Sequence, residues 1–98
     1  MGIGPHDEAV PLALPGVSGE ITGSHGGSYL GYTIRETAGS TAHVILYDNA
    51  SAASGPILEE IGLVANATST ANYLRPGRYV GNGIYAAVTG AIEGSVFQ

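Results

Sequence analysis

The sequence contains no cysteine, no lysine and no tryptophan, and each absence narrows what the chain does. Without cysteine there is no disulfide, no thiolate metal site and no cysteine nucleophile. Without lysine there is no phosphate-cradling GxxxxGK[ST] loop. Arg35, Arg75 and Arg78 are the whole cationic complement against eight Asp and Glu, leaving a net charge of −5. Nucleic-acid binding requires cations that displace counterions from phosphates, so that class is excluded. Charged residues make up 11% of the chain, against roughly 25% in an ordinary soluble domain. No apolar run approaches the ~18 residues of a membrane-spanning helix, and no membrane partner is expected. The start, "MGIGPHDEAV", has neither a basic region nor a long apolar core and does not read as a secretory leader.

What the chain has instead is glycine, 16 of 98 residues, with many Ala, Ser and Thr between short apolar runs. One domain is the most this length supports. Pro5, Pro11 and Pro15 fall within residues 1–18, where missing amide donors and a bias to extended backbone disfavour both helix and central strand. This stretch is expected to form an extended N-terminal arm carrying Val10, Leu12, Leu14 and Val17. It lies on its own domain or on a neighbouring subunit.

Residues 19–98 are expected to fold as the main domain. "YLGYTIRET" alternates, with Leu30, Tyr32 and Ile34 on one face and Tyr29, Thr33 and Arg35 on the other. "TAHVILYD" is apolar on both faces, the pattern of a central strand. "ILEEIGLVANATST" offers helical spacing at Ile57, Leu58, Ile61 and Val64, with Pro56 placed to start a helix. Gly62 interrupts that run and its neighbours are short and β-like, so a strand is expected. "RPGR" and "GNG" mark turns. In "GIYAAVTGAIEGSVFQ", two runs flank Thr89-Gly90 and predict a closing hairpin. Its first strand would put Ile84, Ala86 and Val88 inward and Tyr85, Ala87 and Thr89 outward. The whole amounts to about seven short strands with turn signals every 8–12 residues, the rhythm of a small all-β antiparallel sandwich or barrel.

Chemistry-bearing constellations are sparse. His6, His25 and His43 lack metal-ligand spacing, and no metal or cofactor is expected. Glu59 and Glu60 point to opposite faces of a strand, so an acid/base pair would need Glu93 brought across a sheet. No serine lies in a GxSxG elbow. "NAS" at 49–51 and "NAT" at 66–68 match the glycosylation acceptor pattern but read as loop polarity. No catalytic residue is assigned, and the chain is not expected to be an enzyme.

The segments "YLGYTIRETAGSTAHVILYD", "SGPILEEIGLVANATST" and "GIYAAVTGAIEGSVFQ" together resemble small β-rich virion proteins of tailed bacteriophages, over residues 26–98. The resemblance rests on strand and turn rhythm and carries over no binding residue. It implies a capsid decoration (cement) protein, a β-sandwich that assembles as a homotrimer on the major capsid protein lattice. Such a protein is made in the host cytoplasm and resides on the virion head. A small tail component, or a carbohydrate- or receptor-binding module using exposed tyrosines, is the alternative. Low charge, mixed apolar faces and an apolar arm suit burial against partners. The expected contact residues are Val10, Leu12, Leu14 and Val17 in the arm, and Tyr85 and Ala87 on the outward face of the last run.

Overall fold

Ten strands and no helix form among the residues that the computed structural model describes, 10–74 and 76–98. They are β1 (Pro11–Ala13), β2 (Gly19–Glu20), β3 (Gly27–Tyr29), β4 (Gly31–Glu36), β5 (Ala42–Asp48), β6 (Ile57–Leu63), β7 (Thr68–Asn72), β8 (Arg78–Val80), β9 (Ile84–Thr89) and β10 (Ile92–Phe97). The expected all-β antiparallel architecture holds. The strand count exceeds seven because β2, β3 and β8 span only two or three residues, too short to leave a period-two signature. Residues 1–9 of the expected arm, and Arg75 of the "RPGR" turn, lie outside the described residues.

Two four-stranded sheets, β1-β10-β4-β7 and β2-β9-β5-β6, accompany a two-stranded ribbon, β3-β8. The pairings follow one rule: β1 with β10, β2 with β9, β3 with β8, β4 with β7 and β5 with β6, all antiparallel. The chain is therefore one long hairpin doubled back at the β5–β6 connection. Two further pairings, β4 with β10 and β5 with β9, roll that hairpin into two sheets. This is the strand order of a jelly roll.

The core lies between the two sheets. Inward residues alternate along each strand, as the pleat requires: Tyr32 and Ile34 on β4, Val44 and Leu46 on β5, Ile61 and Leu63 on β6, Ile84 and Ala86 on β9, and Val96 on β10. Each large aliphatic chain buried this way contributes on the order of 1.5–3 kcal/mol. β5 is central, flanked by β9 and β6, as its two apolar faces imply.

Two expectations need correction. The last two runs do not pair as a hairpin: β9 belongs to one sheet and β10 to the other, so Gly90-Ala91 crosses between layers. Tyr29 does not share a face with Thr33 and Arg35; it is completely buried. The extended run breaks after Tyr29, and Gly31 restarts it at a φ of 126°, which re-aims the preceding side chains.

Candidate assembly surface

Each end of the sandwich is closed by one buried carboxylate. At the first end, Asp48 accepts hydrogen bonds from the amides of Gly81 (2.8 Å) and Asn82 (2.9 Å), tying the β8–β9 connection to the end of β5. At the second, Glu36 accepts from Ala38 (2.6 Å), Gly39 (2.8 Å), Ser40 (3.2 Å) and Asn66 (2.8 Å), joining the β4–β5 and β6–β7 connections. Asn66 holds a left-handed backbone, φ 61°, to present that amide. The amide of Asn66 is the main reason the Glu36 carboxyl sits below its ordinary value; the other three amides add to the effect, against the opposing cost of desolvation. A polar cavity of about 310 Å³ beside it is lined by Arg35, Glu36, Thr37 and Asn66.

A third cluster locks β6 to the ribbon. The β-bulge between Leu46 and Tyr47 leaves Leu58 unpaired and inward. Beyond it, Glu59 Oε1 accepts from the hydroxyls of Tyr73 (2.7 Å) and Tyr29 (3.2 Å). The two rings lie 5.9 Å apart, and the Arg78 guanidinium sits 4.8 Å from the centre of the Tyr73 ring while donating to the Leu58 carbonyl. Burial, followed by the Glu59 charge, pushes the Tyr29 hydroxyl well above the ordinary tyrosine range. The hydrogen bond to Glu59 raises that of Tyr73. Both tyrosines are held protonated as donors, which suits a structural clasp and not a phenolate nucleophile.

The three glutamates that would have to meet for acid/base work are kept apart. Glu59 serves the tyrosines, Glu60 lies 3.1 Å from His43 Nε2, and Glu93 pairs with Arg35 on the opposite sheet. Among the described residues no cluster of three His, Asp or Glu could hold a metal ion.

The outer faces of the sheets differ in chemistry. On the β1-β10-β4-β7 sheet, register sets Pro11, Phe97, Gly31 and Asn72 in one outward row, Ala13, Ser95, Thr33 and Thr70 in the next, and Glu93, Arg35 and Thr68 in the third. Thr33 and Thr70 join hydroxyls at 3.3 Å, and apart from Pro11 and Phe97 at one end this face carries small and polar side chains. On the β2-β9-β5-β6 sheet, the outward rows are Glu20, Tyr85, Tyr47 and Ile57, then Ala87, Ile45 and Glu60, then Thr89, His43 and Gly62. Two tyrosines, two isoleucines and an alanine here form a continuous apolar strip between Glu20 and Glu60. Tyr47, Tyr85, Ile45 and Ala87 are half-buried by one another, and Ile57 is exposed.

Of the expected contact residues, Tyr85 and Ala87 lie in the middle of this strip. Val10 and Val17 are exposed, while Leu14 is in the chain's own core and Leu12 packs against it. β1 pairs with β10, so the described part of the arm is laid on its own sheet. Ile45 and Tyr47 were missed as surface because β5 reads as apolar on both faces, and Ile57 because the bulge that shifts its face leaves no pattern in the sequence. The two buried carboxylates were missed because a lone acidic residue before a small-residue loop carries no spacing signal. No protein-family model, curated protein or solved structure matches this chain.

Proposed function

We propose that this chain is a structural protein of a tailed-bacteriophage virion, a capsid decoration protein that binds the head lattice and further copies of itself, as a homotrimer, by surface complementarity and without catalysis. The observation that carries this reading is the difference between the two outer faces. A jelly-roll sandwich gains nothing by keeping Tyr47, Tyr85, Ile45, Ile57 and Ala87 together on the outside of one sheet, when the opposite outer face is polar apart from Pro11 and Phe97, unless another surface covers them. Jelly rolls recur in viral capsid domains, which supports the reading by analogy of fold alone. The carboxylates spent on holding loops and tyrosines, together with the sequence resemblance, point the same way.

The test is co-sedimentation with expanded capsids stripped of decoration. Wild-type protein is expected to pellet with them in stoichiometric amounts. Ala87→Glu places a charge in the strip without touching the core, and is expected to leave a soluble fold with capsid binding weakened at least about tenfold. Normal binding by that variant, or no binding by the wild type, removes the assignment. A carbohydrate-binding role is the second reading, favoured by Tyr79, which is 80% exposed beside Gly81 at one end of the sandwich. Glycan binding that disappears in Tyr79→Ala would support it in place of the first.

A further inference from the structure

Charge is distributed along this chain in a way that the outer strip complements. Between Glu60 and Glu93 the sequence has no acidic residue, and it carries Arg75 and Arg78 there. That stretch includes the β7–β8 connection, closed by a hydrogen bond from the Gly77 amide to the Leu74 carbonyl (2.8 Å). Leu74 at the turn is 93% exposed, Pro76 and Arg78 are exposed, and Tyr79 stands out on β8. Among the described residues Arg78 makes no ion pair, whereas Arg35 is engaged by Glu93. The result is an apolar tip with a cationic flank on a protein of net charge −5.

We infer that this tip docks on the outer strip of a second copy of the chain. The recognition is of unlike surfaces: Leu74 and Tyr79 of one copy against Tyr47, Tyr85 and Ile57 of the next, with Arg78 facing Glu60. Both halves have what the other lacks. The strip is apolar with carboxylates at its two margins, Glu20 on the β2 edge and Glu60 on β6, both exposed. The tip is apolar with an exposed guanidinium that stacks on Tyr73 and donates to the Leu58 carbonyl but, among the described residues, pairs with no carboxylate. The tip cannot be covering its own strip, because Leu74 and Tyr79 remain almost fully exposed. A tip-to-strip contact joins different patches, so repeated by rotation it closes into a ring such as a trimer. Apolar anchors supply the affinity, and the flanking charges fix orientation and reject wrong partners.

This inference rests on the reading of the strip as an assembly surface, and sedimentation velocity without any capsid present separates the two. Wild-type protein is expected to self-associate at concentrations up to about 100 μM. Leu74→Asp changes a side chain with no packing role, and it is expected to weaken association at least about tenfold. Arg78→Glu and Glu60→Arg are each expected to weaken it comparably, and the two combined in one chain to restore it to within about threefold of wild type. Because Arg78 also stacks on Tyr73, circular dichroism checks each fold and Leu74→Asp serves as the independent reporter. A monomeric wild type, unchanged association in Leu74→Asp, or no recovery in the charge-swapped chain overturns the inference. If association fails while Ala87→Glu still weakens capsid binding, the capsid-binding part of the functional reading stands, without the homotrimer and without this contact. If association behaves as described but capsids are not bound, the inference stands and the virion assignment falls.

Discussion

Glu36 shows most clearly how a single side chain organises this protein. Its carboxylate is almost wholly covered and replaces, for four amides in two different loops, the partners that water would otherwise provide. Those bonds favour the ionised form, so the folded carboxyl titrates below its ordinary value of 4.5. A group depressed in this way contributes stability that is present above the unfolded value and is lost as pH falls through the folded one. Glu36→Gln keeps the shape, but it removes the charge and turns one acceptor oxygen into a donor facing amides. At pH 7 its melting temperature is expected to fall by at least about 5 °C. The gap to wild type should narrow as pH is lowered below 4.5, because wild type then loses the same interaction. Thermal unfolding followed by circular dichroism between pH 7 and 3 decides this, and a gap independent of pH would mean that the carboxylate's charge is not what holds the loops.

At the scale of the elements, Gly31 sets the boundary between β3 and β4. Its φ of 126° lies where L side chains are strained, and a Cβ there would overlap the Ala71 carbonyl on the paired strand β7. Asn72, its register partner on β7, adds a second backbone contact at 3.1 Å from that Cβ position. Gly31→Ala is expected to cost about 2–4 kcal/mol, from backbone strain together with lost β4–β7 pairing, measured as a shifted midpoint in urea. A cost under about 0.5 kcal/mol would show that the strand can move aside. The same glycine explains why Tyr29 was misread. Alternation identifies faces only along an unbroken strand, and a glycine that re-aims the chain resets the phase without changing the pattern of residue types. β5 was legible because its run is apolar on both faces, and β6 because Gly62 spoils the competing helical spacing. β9 and β10 were legible as strands but not as partners. A two-residue turn is equally compatible with a hairpin and with a step between layers, and only the competition from β5 and β4 for their edges decides.

For the molecule as a whole, the nested pairing makes the first and last described strands depend on each other. β10 is held between β1 and β4, and Val10 and Gln98 exchange backbone hydrogen bonds in both directions, at 3.3 and 3.2 Å. The Gln98 side chain is buried and ties the end of β10 to the loop before β3. It accepts from the His25 amide (3.0 Å) and donates to the carbonyls of His25 (2.8 Å) and Ser28 (3.2 Å). Such a fold gains little from local contacts: β1–β10, β2–β9 and β3–β8 all join distant parts of the sequence, so folding in milliseconds to seconds is expected instead of microseconds. It also follows that the sheet cannot be shortened gently from its last strand. Deleting Val96–Gln98 removes a fully buried valine, the register partners of Pro11 and Leu12, and the polar plug at Gln98. The remaining chain would open the core beside Tyr32 and leave β1 a single register partner, Ser95 opposite Ala13. Loss of a cooperative thermal transition is expected, with β-rich far-ultraviolet dichroism partly retained and strong binding of a hydrophobic dye. Val17→Ser, at an exposed position outside every strand, should unfold like wild type in the same assay. If the truncated chain also unfolds cooperatively near the wild-type temperature, then β4, β7 and the remaining part of β10 sustain their sheet, and the pairing of the first strand with the end of the last is a consequence of the core and not the frame that holds it.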